Sequence, residues 1–158
     1  MGSRGLALGV GSWLLLSALL TGYPDEFPLH PTLGNEPASG LVKLRQPWSP
    51  YGISVTEDGD VRYEVTVEVH DLPESPGASY RVWLTTPSFD PIVELGAVDR
   101  SGVVSGQTDG AQLVVVVSRE EGGYSGKRWK GPVVLRGFSA GARVQPLGTH
   151  SPFRRAPI

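Results

Sequence analysis

The sequence predicts an all-β, antiparallel Greek-key sandwich of immunoglobulin-like form, preceded by one N-terminal transmembrane helix. Three observations point there. No charged side chain lies between Arg4 and Asp25. Beyond residue 40, apolar residues alternate in short runs separated by Gly, Pro and Asp turn signals. No helical period follows the apolar segment.

Residues 1–24 are the predicted anchor. About 20 helical residues at 1.5 Å each cover roughly the 30 Å of a bilayer core. Arg4 supplies a basic start, but no pair of small residues marks a cleavage site: a cut after Gly22 puts Leu20 at −3. The segment therefore reads as an uncleaved anchor, the alternative being a poorly marked signal peptide. Leu20-Thr21-Gly22 resembles the start of a lipobox, yet Tyr23 follows and the chain has no cysteine to carry a lipid. Gly5 and Gly9 form a G-x-x-x-G face that lets helix backbones approach closely in lipid. Trp13 sits mid-span, where an indole is better placed against a partner than against lipid tails. Arg4 puts the N-terminus in the cytoplasm, with Asp25 and Glu26 on the outer side.

Residues 25–40 hold Pro28, Pro31 and Pro37 without a hydrophobic period, and read as an extended tether. The sandwich is expected over residues 41–146. Residues 41–44 are a short edge candidate, and 51–56 form a strand ending at Asp58-Gly59. Residues 61–70 alternate most clearly, with Val61, Tyr63, Val65, Val67 and Val69 on one face and polar residues on the other. Residues 79–85 put Tyr80, Val82 and Leu84 on one side and Trp83 on the other. Residues 92–98 and 103–107 follow, around the turn Arg100-Ser101-Gly102. Residues 112–118 include Leu113 and four consecutive valines, as a strand buried on both faces requires. Residues 120–130 read as a polar loop, 132–138 as the last long strand, and 143–146 as one more short strand. Residues 147–158 are a basic tail.

Composition removes several chemistries. Without cysteine there are no disulfides and no thiolate-ligated zinc, iron–sulfur or blue-copper sites. Residues 25–121 hold 16 acidic and 6 basic side chains, whereas residues 122–158 hold 7 basic and no acidic ones. That asymmetry points the C-terminal part at an acidic partner or anionic head groups, unless its arginines only balance acids in the folded sheet. Gly137-Phe138-Ser139-Ala140-Gly141 matches the G-x-S-x-G nucleophile elbow, but no helix or doubly wound sheet is expected around it, so Ser139 reads as a strand-ending turn. His30, His70 and His150 would form a metal site only if tether and tail folded back onto the same strand. The pairs Glu57/Asp58 and Glu120/Glu121 sit beside turns and are expected to be solvated.

A resemblance adds to this. The runs at 48–59, 80–96, 113–122 and 131–146 resemble a sandwich domain of bacterial extracytoplasmic proteins, some associated with multicopper oxidases. The pattern Tyr80-x-x-Trp83, Leu95-Gly96, Ser118-x-Glu120, Gly131-Pro132 is similar to the outer domain of anti-sigma-K factors. The resemblance implies the fold and says little of function. Too few residues precede the apolar segment for a sigma-binding domain, and the histidine and cysteine content does not suit oxidase chemistry. In layout the chain also resembles extrinsic periplasmic subunits of photosynthetic reaction-centre and antenna complexes.

The expectation is thus a non-enzymatic subunit of the cytoplasmic membrane, with its sandwich in the periplasm. Its partners would be integral membrane subunits and, through the anchor, lipid; neither nucleic acid nor a cofactor is expected. The expected contact residues are Gly5, Gly9 and Trp13 in the anchor, Trp48, Tyr124, Arg128 and Trp129 on the domain, and Phe153, Arg154 and Arg155 in the tail. An envelope module binding a small ligand or metal is the alternative.

Overall fold

The computed structural model describes residues 25–50, 52–57 and 59–143. The described chain is all-β and antiparallel. Its strands are β1 (Asp25–Pro31), β2 (Ser39–Arg45), β3 (Arg62–His70), β4 (Ala78–Thr85), β5 (Ile92–Ala97), β6 (Val103–Asp109), β7 (Val114–Glu121) and β8 (Val133–Phe138), followed by the helical turn α1 (Ala140–Arg143). They lie in the order β5-β4-β7-β8-β1-β2-β3-β6.

β1 joins two faces. Asp25 to Leu29 pair with β2, from Asp25↔Leu44 to Leu29↔Gly40. His30 and Pro31 then pair with β8, opposite Arg136 and Leu135. One face is therefore β1-β2-β3-β6 and the other β5-β4-β7-β8, with the core between them. At the far side β5 and β6 approach each other without a hydrogen-bonded ladder. Leu95 there fills the space that a side chain on Gly106 would take, its Cδ1 2.3 Å from an ideal Cβ. Side-chain interlocking thus nearly closes a barrel where backbone pairing does not.

The alternation of β3 is as the sequence predicts: Val65, Val67 and Val69 are buried. The valines of β7 divide between two clusters. Val115 and Val117 face the main core, while Val114 and Val116 pack with Trp83 and Ala142 on the outer side of the sheet. The strand is buried on both faces, as its sequence requires.

Four expectations are corrected. Residues 25–31 are not a tether but a strand. Phe27 and Leu29 are 3% exposed and alternate with exposed Glu26, Pro28 and His30. Proline is tolerated because the Pro28 carbonyl points to β8, near Gly137; the N–H it lacks is one the β2 ladder does not use. Residues 41–44 belong to β2, which lies between β1 and β3 rather than at an edge; β5 and β6 occupy the ends of the order. Of the strand expected at 51–56, residue 51 lies outside the described residues, and 52–56 make only the isolated bridge Val55↔Val61. β7 runs on to Glu121, so the polar loop begins later than expected. Residues 1–24, the tail 147–158 and most of the short strand expected at 143–146 lie outside the described residues; Arg143 itself ends α1. Among the described residues no helix is long and apolar enough to cross a membrane.

The register also fixes which segments share an end. The pairs Asp25↔Leu44, Arg62↔Asp109, Thr85↔Ile92 and Val114↔Phe138 gather the start of β1, the β2–β3, β4–β5 and β6–β7 loops, and α1 at one pole. The chain therefore enters and leaves the domain at the same end. The other connections begin at the opposite, turn pole.

If β1 is integral, Phe27→Ala should cost about 3–5 kcal/mol and Leu29→Ala about 2–5 kcal/mol, measured by urea unfolding. A tether at these positions would show no loss.

Candidate functional site

Two regions compete for a role: the buried polar cluster around Trp83, and the pole where the chain enters. In the first, Trp83 is fully buried on the outer face of β4 and its Nε1 donates to Ser118 Oγ at 2.9 Å. Ser118 Oγ donates to Glu120 Oε1 at 2.6 Å. The Lys130 amide donates to Glu120 Oε1 at 3.1 Å and the Gly131 amide to Oε2 at 3.0 Å. Glu120 is 2% exposed, against the expectation of a solvated turn acid. It is buried because its two oxygens receive these donors; burial without them would be costly. An ideal Cβ on Gly131 would lie 1.8 Å from the Arg119 carbonyl oxygen, so only glycine permits this approach.

The carboxylate thereby pins the β7–β8 loop across the sheet. Trp129 in that loop meets Trp83 with ring centroids 6.3 Å apart, and meets Phe89 edge-on at 6.4 Å. The Tyr124 hydroxyl donates to the Arg128 carbonyl, and the Lys130 ammonium lies 6.0 Å from the Tyr124 ring centre. Tyr124, Arg128 and Trp129 are thus brought together, but the two aromatics are half-buried against the outer core. They cover that core with one part of their surface and keep the rest exposed. Arg128 is exposed.

The entry pole differs. Trp48 is 84% exposed, Ile53 and Val55 are each 54% exposed, and Phe89 is 55% exposed. Hydrogen bonds hold these residues in place. The Gly52 amide donates to the Ser49 carbonyl at 3.0 Å beside Trp48. The Arg62 amide donates to the Ser54 carbonyl at 2.9 Å and the Thr56 amide to the Asp60 carbonyl at 2.8 Å, forming a small hairpin around the Val55–Val61 bridge. A recess of about 290 Å³ opens beside them where β5 and β6 diverge. Leu84 and Leu113 line its apolar part, and Gln107, Asp109 and Gln112 its polar part. Of this pole the sequence singled out Trp48 alone. Ile53 and Val55 had a strand's alternation, and only the absence of a ladder exposes them.

The remaining candidates resolve as structure. Ser139 is fully buried: its Oγ donates to the Ala111 carbonyl at 2.6 Å and accepts from the Leu113 amide at 2.9 Å and the Ala142 amide at 3.2 Å. It braces the end of β8 against the β6–β7 loop. A helical turn does follow it, contrary to expectation, but the hydroxyl is sealed and the sheet antiparallel. His30 and His70 are exposed in β1 and β3, and His150 lies outside the described residues. Among the described residues no group of three or more His, Cys, Asp or Glu is placed to hold a metal ion. Gly5, Gly9, Trp13, Phe153, Arg154 and Arg155 also lie outside them. Among the described residues two titrations are shifted. Hydrogen bonds from the Ser101 hydroxyl and amide hold the Asp99 carboxyl below the usual range, and the 2.7 Å bond to Glu68 raises Lys43.

Comparison with protein-family models, curated proteins and solved structures yields no match for this chain.

Glu120→Ala strands two loop amides and the Ser118 hydroxyl; it should destabilise by roughly 2–4 kcal/mol and alter the Trp83 and Trp129 fluorescence before global unfolding. Ser139 in the folded chain should resist a fluorophosphonate probe, read by intact mass; stoichiometric labelling would reopen the nucleophile reading.

Proposed function

We propose that this chain is a non-enzymatic, membrane-anchored periplasmic subunit that braces a larger membrane complex. Its fold would be the Greek-key, immunoglobulin-like sandwich behind one transmembrane helix, a reading supported by the crossovers from β3 to β4 and from β6 to β7 between the two faces. One observation carries the functional reading. Asp25, directly after the uncharged run, begins β1 at the pole where Trp48, Ile53, Val55 and Phe89 are exposed. Attachment and an exposed apolar surface thus coincide at one end, which leaves the sides of the domain to meet the subunits that it braces. Integral membrane subunits are the partners implied, and a photosynthetic reaction centre with its antenna ring is the complex whose extrinsic subunits the layout resembles.

The alternative is an envelope module for a small ligand. The recess between β5 and β6 favours it, since its apolar floor and polar rim suit a small amphipathic molecule. The metal-binding version draws no support from the described residues.

Purification from the native membrane in mild detergent separates these readings. The bracing subunit should keep its full-length mass and bring stoichiometric membrane subunits, with pigment if the complex is photosynthetic. A soluble protein shortened by about 22 residues and lacking partners would move the ligand-binding module into first place. Deleting residues 147–158, with Arg154 and Arg155, should weaken retention of the complex in a salt-sensitive way; retention unchanged across salt would exclude a role for the tail.

A further inference from the structure

Because residues 25–31 are a strand, little chain is left to separate the domain from an anchor. This inference rests on the anchored reading of residues 1–24 and asks where the domain then stands. Only Tyr23 and Pro24 lie between Gly22 and Asp25. Three residue steps, fully extended, reach about 10 Å. The polar layer on one side of a bilayer is roughly 5–8 Å thick. Asp25 can therefore lie at most about 2–5 Å beyond that layer, close enough for loops that project past it, such as the one following Arg45, to reach the surface.

We infer that the entry pole itself docks on the bilayer, with Trp48, Ile53, Val55 and Phe89 seated at the level of the head groups. Three features fit that occupant. Trp48 lies between Pro47 and Pro50, beside the turn closed by the Ser49–Gly52 hydrogen bond, and is 84% exposed. Ile53 and Val55 stand on the hairpin tied by the Ser54–Arg62 and Thr56–Asp60 bonds. Their ordering has been met within the fold and is not imposed on binding. Aromatic rings are well suited to the membrane–water boundary. By contrast Leu33, 97% exposed, lies in the β1–β2 turn at the opposite pole, where the same attachment cannot bring it to the surface.

Charge selects the kind of surface. Asp25, Glu26, Glu57, Asp60, Asp90 and Asp109 are exposed at this pole. Lys43, Arg45, Arg62 and Arg143 are the basic residues described there, with Lys43 opposite Glu26 in the register and Arg62 3.7 Å from Asp109. Among the described residues the pole carries more acid than base, so its loops enter the bilayer through apolar contact rather than attraction of charge, and the occupant is a zwitterionic bilayer.

The test reconstitutes the full chain in phosphatidylcholine vesicles containing a diazirine-bearing phosphatidylcholine, then maps photoadducts by peptide mass spectrometry. Adducts are expected in peptides covering 46–57 and 86–91, several-fold above the Leu33 peptide. Combining Trp48→Ser with Ile53→Ser, both at exposed positions, should cut adducts at 46–57 several-fold and leave those at 5–22 unchanged. Replacing a third of the lipid with phosphatidylglycerol should lower loop adducts. Adducts confined to 5–22 would overturn docking while leaving the anchor intact. No adducts anywhere would remove the anchored reading and docking together. Equal labelling of Leu33 would mean non-specific contact and would also overturn it. So would a probe in the same loops that, in native membranes, captures a protein instead of lipid.

Discussion

A buried carboxylate organises the outer half of this domain. Glu120 has left water, and a carboxylate does so only when its oxygens are met by donors. Here the donors are a hydroxyl on its own strand and two amides from the far end of the β7–β8 loop. That arrangement closes the loop back over the sheet. Trp83, Val114 and Val116 then gain a cover and form a second small core outside the main one. Without the cover, β7 would expose two valines beside a tryptophan. The loop's aromatics, Tyr124 and Trp129, are half-buried in making it.

β1 imposes a second constraint. One strand pairs first with β2 and then with β8, so it holds the two faces together along one side. On the other side Leu95 over Gly106 does this by packing alone. β1 also sets the distance between the domain and whatever precedes it. With residues 25–31 used as a strand rather than as a spacer, the entry pole is the part of the domain nearest to whatever precedes it. The function proposed for the chain and the docking inferred for its pole both follow from this one assignment.

The spacing of Trp83, Ser118, Glu120 and Gly131 in the sequence has a physical explanation in these contacts. Trp83, Ser118, Glu120 and Gly131 are one hydrogen-bonded unit, with Gly131 present because no side chain fits beside the Arg119 carbonyl. Such a motif reports a way of covering a sheet. It does not report chemistry, which agrees with how little it implies about function. Ser139 teaches the same lesson. Its neighbours match a nucleophile's pattern, yet its hydroxyl is occupied on both sides by backbone groups.

The sequence by itself determined the strands whose stabilisation comes from one face or both. β3 was legible because alternate valines must meet a core, and β7 because four valines in a row demand two. Trp48 was named from the sequence as a contact aromatic on the domain, and it is exposed. Tertiary structure alone decided the rest, because each remaining choice depends on partners distant in sequence. Phe27 and Leu29 make a strand only where β2 and β8 wait to pair with it. Ile53 and Val55 fail to make one because only a single bridge, to Val61, is offered. Glu120 is buried, and Trp129 turned inward, only because the loop closes back some ten residues later. Periodicity records which side chains need cover; the three-dimensional fold determines which of them receive it.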